Sequence, residues 1–330
     1  MKGAIEFVRN LIRFHKGKAV LALLFALIFG VLMFPYDDLG DLITTKISDA
    51  TGGAWYIQFD RMGLGLFPPG VKTENVSIES SALPTINADS LELTPWIMGA
   101  ITAKTGLKVD ASGLFKGNLS LDYREGEKLK SGERAKDVVV RAESLSLPLL
   151  TDFLRSGGIL NMALQGSLGL DSALNIDPVF DRQPSGDLGL QIAGLQLPSQ
   201  SFNTQMGPVQ TPSLKLGKVA LQAKMGDGKL NIEDLSFGGP NEDMTGKIKG
   251  ELGIAIRRDA GGVRPQVGAY DLRIDMTVKK SFIDTGSKTG AGLAFMLIEK
   301  FKQETPQGVR YAFRVKATSP AMPPEFLPPQ

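Results

Sequence analysis

Cysteine is absent from the 330-residue sequence, and histidine occurs once, at His15. No disulfide staple, thiolate metal site or cysteine nucleophile can form. Beyond residue 15 there is no imidazole, which removes a Ser-His-Asp triad and a histidine-based zinc site. Aromatic residues are few (7%), and a net charge of +2 gives neither a basic nucleic-acid surface nor an acidic scaffold. No GxxxxGK[ST] phosphate loop occurs. Gly63-Leu64-Gly65-Leu66 and Gly286-Ser287-Lys288-Thr289-Gly290 lack that spacing and read as a turn and a helix start. Glu242-Asp243 ends a Gly-Gly-Pro-Asn-Glu-Asp stretch, which reads as a hairpin turn rather than a cation site. Trp55 and Trp96 read as core or membrane-interface anchors. The expectation is a protein that is not an enzyme and holds no cofactor or metal.

Glycine (38) and proline (19) are plentiful, favouring many short strands and turns over long helices. One long apolar run stands out. Ala19 to Phe34, including Leu24 and Phe29, carries no charge. As a helix it spans ~24 Å, slightly short of the ~30 Å bilayer core. Lys16 and Lys18 on one side and Pro35-Tyr36 on the other can make up the difference. Lys2, Arg9, Arg13, Lys16 and Lys18 precede the run, and Asp37, Asp38 and Asp41 follow it. The positive-inside rule then puts the N-terminus in the cytoplasm and exports the rest. Leu32-Met33-Phe34-Pro35-Tyr36 offers no small residues for signal cleavage, so the run reads as an uncleaved anchor. The expected layout is a basic segment (1–18), a transmembrane anchor (19–36), a periplasmic β-rich domain (37–317) and a Pro-rich tail (318–330). The β domain has a candidate division into two halves near 178–212.

After an expected short helix over Asp37 to Ala50, the chain alternates apolar and polar residues in segment after segment. In Thr245 to Ile256, Ile248, Leu252, Ile254 and Ile256 oppose Lys247, Lys249 and Glu251. In Gly268 to Lys279, Tyr270, Leu272, Ile274, Met276 and Val278 oppose Asp271, Arg273, Asp275 and Thr277. Val309, Tyr311, Phe313 and Val315 share one face of a last strand. Such alternation marks antiparallel sheet with one wet side. Short helices are expected at Thr94 to Thr105 and Leu149 to Arg155, and a longer one over Ser287 to Gln303. With few helices to cover the apolar side, either two sheets pack face to face as a sandwich, or one sheet curls around its own apolar side like a taco. Leu164, Leu168, Ile248, Leu252 and Ile254 are candidate members of that face.

The order of elements resembles the type II secretion system protein N family (GspN). The likeness is carried by the anchor, by Phe59 to Ile78 with its "LFPPGV…ENVSI" element, by Leu149 to Gly169 ending in "LQGSLGL", and by "FGG…MTGKIKGEL" in Phe237 to Leu252. The same strand-turn-strand is similar to AsmA-like proteins, which are single-anchor periplasmic β proteins implicated in outer-membrane lipid homeostasis. The first resemblance implies a non-catalytic inner-membrane component of a type II secretion apparatus that contacts other components through its β domain. The second implies a lipid-handling protein that shields acyl chains of phospholipid or lipopolysaccharide on an apolar sheet face. An open apolar groove favours the second, and a filled interior the first. Neither implies a nucleic-acid partner.

Overall fold

A computed structural model of the chain describes residues 51–66, 69–80, 83–158, 160, 162–204, 207–259, 262–286 and 291–329, with isolated helical positions at 21, 25, 40, 44–46, 48 and 49. The first half contains β1 (Trp55–Gln58), β2 (Arg61–Leu66), β3 (Pro69–Ser80), β4 (Ile86–Pro95), α1 (Ile97–Ile101), β5 (Gly106–Leu114), β6 (Gly117–Lys128), β7 (Arg134–Ser146), α2 (Leu147–Ser156) and β8 (Gln165–Ile176). The second contains β9 (Ser185–Leu197), β10 (Gln200–Thr204), β11 (Gly207–Thr211), β12 (Leu214–Gly226), β13 (Lys229–Phe237), β14 (Met244–Asp259), β15 (Gly262–Val278), α3 (Lys280–Gly286), α4 (Ala291–Leu297), a 3-10 turn (Glu299–Phe301), β16 (Lys302–Thr305), β17 (Gly308–Ala317) and β18 (Glu325–Leu327).

Apart from the β10–β11 hairpin, every described strand belongs to one 16-stranded sheet of order β1-β3-β4-β5-β6-β7-β8-β9-β12-β13-β14-β15-β17-β16, with β2 beside β3 and β18 beside β17. All pairings are antiparallel, and the two edges do not meet. Of the two expected architectures, the single sheet forms. Among the described residues the other sheet is the two-stranded β10–β11 hairpin, and the edges of the large sheet do not pair to close a barrel. The sequence order of the strands is almost their spatial order, which is what short connections dictate.

The end of the sheet at which β1 begins is called the upper end here. It carries α2, the β10–β11 hairpin and the helices after β15. Register shifts cluster there on neighbouring strands, at Gly113, Ser144, Gly166 with Gly194, and Gly217. All five have positive φ, and a bulge of this kind bends its strand and increases the local twist. Gly186 and Gly250 mark closer approaches. Each has positive φ, and a Cβ would strike the facing backbone carbonyl, of Ala173 and Asp271 respectively. Only glycine fits there.

Helix α2 starts on Leu147-Pro148, where proline loses no intrahelical bond, and stops at Gly157-Gly158. It buries Leu147 and Thr151, whose hydroxyl donates to the Pro148 carbonyl at 3.1 Å. The helix expected over Ser287 to Gln303 is instead α4 followed by the 3-10 turn, with Lys302 already extended into β16. The connection at Pro198 to Pro212 contains the β10–β11 hairpin. The Pro-rich tail supplies β18, which pairs with Arg314 to Lys316 of β17.

The largest buried cluster sits at the C-terminal strands. Val278, Phe282, Ile298, Val309, Tyr311 and Phe313 pack together, joined by Phe295, Phe301 and Phe326. Phe295 stacks on Tyr311 (5.9 Å), Phe301 stacks on Phe313 (5.7 Å), and Phe282 meets Phe295 edge-on (6.4 Å).

Candidate functional site

Strand register turns the alternation of single strands into rows that cross the sheet, because directly paired residues point to the same face. One row runs Met62, Thr73, Leu91, Ala111, Leu119, Ala142, Leu170, Leu190, Leu221, Leu235, Ile248, Ile274, Phe313. Its neighbour runs Leu64, Val71, Leu93, Val109, Leu121, Val140, Ser172, Leu188, Ala223, Ile232, Gly250, Leu272, Val315, Phe326. Only Thr73 and Ser172 are polar. A third, shorter row holds Leu145, Leu168, Ile192, Val219, Phe237, Gly246, Met276 and Tyr311.

The opposite face is charged. Lys72, Glu92, Asp110, Ser120, Arg141 and Asp171 form one of its rows. Ion pairs tie neighbouring strands together: Lys224–Glu233 at 2.8 Å, Arg310–Asp275 at 2.6 Å and Arg314–Asp271. The arginines hold both aspartates below the usual carboxylate range through hydrogen bonds to the ionised form. These pairs are solvated and individually weak. They set which face is wet.

Cover over the apolar face is uneven. At the first strands, the helical position Gly40 is buried against the Phe59 ring and beside Met62, leaving no room for a Cβ. At the last strands, α3, α4 and the 3-10 turn seal the face. Between them, Leu119, Leu121, Val140, Leu170, Leu188, Leu190, Leu221, Leu235 and Ile248 are half-buried, while Ala142, Ala223 and Ile232 of the same rows are buried. The rows span ~60 Å across the strands at ~4.8 Å per step, of which the ~29 Å between the covered ends has a footprint on the order of 500 Å². The largest apolar patch on a typical monomer is ~300–600 Å².

Of the expected face residues, Leu168, Ile248, Leu252 and Ile254 lie on this face and are half-buried. Ile254 pairs with Val267 because Gly268 and Ala269 bulge out of β15. Leu164 is half-buried but precedes β8 and belongs to no row. The anchor residues Ala19, Leu24, Phe29 and Phe34 lie outside the described residues. Leu21 and Phe25 of the same run are helical and exposed. Among the described residues, no helix is long and apolar enough to cross a membrane.

The single-strand reading missed a polar device at the lower end of the apolar face. Register places Glu125 opposite Lys136 and Lys136 opposite Ile176, on the same side as Tyr123 and Val138. Lys136 Nζ meets Glu125 Oε1 at 3.0 Å and lies 5.6 Å from the Tyr123 ring centre. The Thr105 backbone N–H donates to Glu125 Oε2 at 2.9 Å. That bond and the Lys136 ammonium hold the Glu125 carboxyl down at about 2. Alternation in β6 and β7 carried the signal, but only the pairing register shows it.

On the wet face at the same end, Trp96, Lys104, Arg124, Asp137, Asn175 and Arg182 line an open cleft of about 550 Å³. Its polar groups are largely spent on each other. Arg124 Nε donates to Asp122 Oδ1 at 2.9 Å and stacks over Trp96, and Asn175 Nδ2 donates to Asp137 Oδ1 at 2.6 Å. No group of three or more metal-ligating side chains occurs among the described residues. No family model matches the chain, and searches of curated proteins and of solved structures find no match either.

Proposed function

We propose that this protein is a non-enzymatic, membrane-anchored lipid-handling protein that shelters acyl chains on the apolar face of a curved periplasmic sheet. The single observation that carries the reading is the set of apolar rows that cross the sheet and, among the described residues, have no second large sheet packed on their middle. Leaving such a surface in water is unfavourable by ~25 cal/mol per Å². A contiguous apolar patch of this kind marks a binding surface more often than chance exposure. Acyl chains of phospholipid or lipopolysaccharide suit long unbranched rows of Leu, Val and Ile, and the uncharged run 19–34 supplies a nearby bilayer as their source.

The test is lipid extraction from the full chain purified in mild detergent. Wild type is expected to carry lipid. Leu221→Asp, on the apolar face, is expected to lose it at least tenfold. Gln222→Asp, one residue along on the wet face, retains it. Equal lipid in both variants, with both folded by circular dichroism, would sink the reading.

A second reading is an accessory component of a type II secretion apparatus. What favours it is the Phe59 to Ile78 likeness, together with the unpaired outer side of β1 and β2, onto which a partner's strand can add. Clean gene deletion separates the two. Lost export of secreted proteins with an intact outer-membrane barrier supports secretion. A detergent-sensitive outer membrane with normal export supports lipid handling.

A further inference from the structure

The apolar rows are continuous, but their ends are not equivalent to their middle. At the C-terminal strands the face is filled by the protein itself. Val278 is 0% exposed, Tyr311 3% and Phe313 4%, under four ring–ring contacts made by Phe282, Phe295, Phe301 and Phe326. At the N-terminal strands Met62 and Val76 are 7% and 2% exposed, and Gly40 closes over Phe59 with no space left for a methyl group. An acyl chain can enter either region only by displacing packed side chains. From Leu119 to Ile248 every large residue of the row is half-buried, and among the described residues no helix other than α2 follows a strand of this stretch.

Resting on the acyl-chain reading above, we propose that the sheet is a cradle stopped at both ends, holding one or two phospholipid molecules over β6 to β14 and loaded through its lower side, rather than a conduit along which lipid files from one edge to the other. Six strand steps separate Leu119 from Ile248, or ~29 Å. A bilayer's ~30 Å hydrocarbon core holds two acyl layers, so this length takes about two chains end to end. At the upper end of the stretch the chain leaves the sheet as α2 after β7 and as the β10–β11 hairpin after β9. Among the described residues no helix follows α1 at the lower end, and there Lys136 and Glu125 interrupt the apolar surface. That ion pair gives a zwitterionic or anionic headgroup a polar neighbour while its chains lie on Leu170, Leu190 and Leu221.

The absence of native cysteine allows a clean test in the full chain. Single cysteines carrying a benzophenone label are placed at Leu190, Leu221, Met62 and Phe313, and each protein is irradiated with vesicles of phosphatidylethanolamine and phosphatidylglycerol. Lipid adducts are expected at Leu190 and Leu221, and at least tenfold fewer at Met62 and Phe313. Because labels at the two buried ends can disturb folding, native mass spectrometry of the unlabelled protein gives the independent count, expected at one or two phospholipids per chain. Equal adducts along the whole row, or a ladder of many lipids per chain, overturns the cradle and leaves acyl binding standing. No adduct at any position and no bound lipid overturns both.

Discussion

The carboxylate of Glu125 joins three elements. It belongs to β6, pairs with Lys136 of β7, and accepts the backbone N–H of Thr105 from the segment after α1, while its own N–H donates to the Thr105 carbonyl at 2.8 Å. Its folded-state pKa of about 2 lies below the ordinary 4.5. A depressed acid contributes stability fully above its unfolded pKa and loses it as pH falls through the folded value. The melting temperature is therefore expected to drop as pH goes from about 4.5 toward 2, with Asp271 and Asp275 acting in the same direction. Glu125→Gln should melt lower at neutral pH and show a shallower acid slope. Parallel curves for the variant and wild type across that window would show that Glu125 plays no such part. In the sequence Glu125 is one charge beside the polar stretch Gly126 to Ala135. The register shift between Glu125 and Lys128 decides which lysine it meets, and no single strand's pattern contains that information.

Strands were legible one at a time, because an apolar residue at every second position fixes the buried side whatever the neighbours are. Helices were less so. The apolar spacing of Leu293, Phe295, Met296, Leu297 and Phe301 reads as one helix, yet the chain tightens at Glu299–Phe301 and turns extended at Lys302 so that β16 can pair with β17. Pairing at the sheet edge overrides local propensity there. The segment's task is to bury Phe295 between Phe282 and Tyr311. Phe295→Ala is expected to cost about 2–4 kcal/mol by removing both ring contacts and leaving a cavity. Leu297→Ala, at a position 63% exposed, should stay within about 0.5 kcal/mol. Urea unfolding of the two variants checks the contrast, and equal losses would mean that the helices do not seal the face as described.

At the scale of the whole molecule, a sheet whose strands touch mainly their sequence neighbours behaves more like a stack of repeats than like a sandwich. The sequence left open whether two halves would divide near 178–212. β9 pairs with β12 around the hairpin at 200–211, so the sheet itself is continuous through that stretch. What could not be read was whether the apolar side would find a second layer, because that depends on how bulges at Gly113, Ser144, Gly194 and Gly217 bend the sheet as a whole. Nearest-neighbour stability combined with one dense cluster predicts graded unfolding. Strands β15 and β17, which share Val278, Val309, Tyr311 and Phe313, have the side-chain burial to resist opening longest. Strands β5 to β9 bury mainly small residues such as Ala111, Ala142 and Ser172, and among the described residues only α2 packs on them. Local opening free energies follow such differences. Native-state hydrogen exchange should therefore show amides of β15 and β17 protected at least tenfold longer than those of β5 to β9, with the central strands gaining protection when phospholipid vesicles are added. A single exchange rate from β3 to β17 would mean that the sheet opens as one unit, which requires a covering layer over its middle that the described residues do not supply.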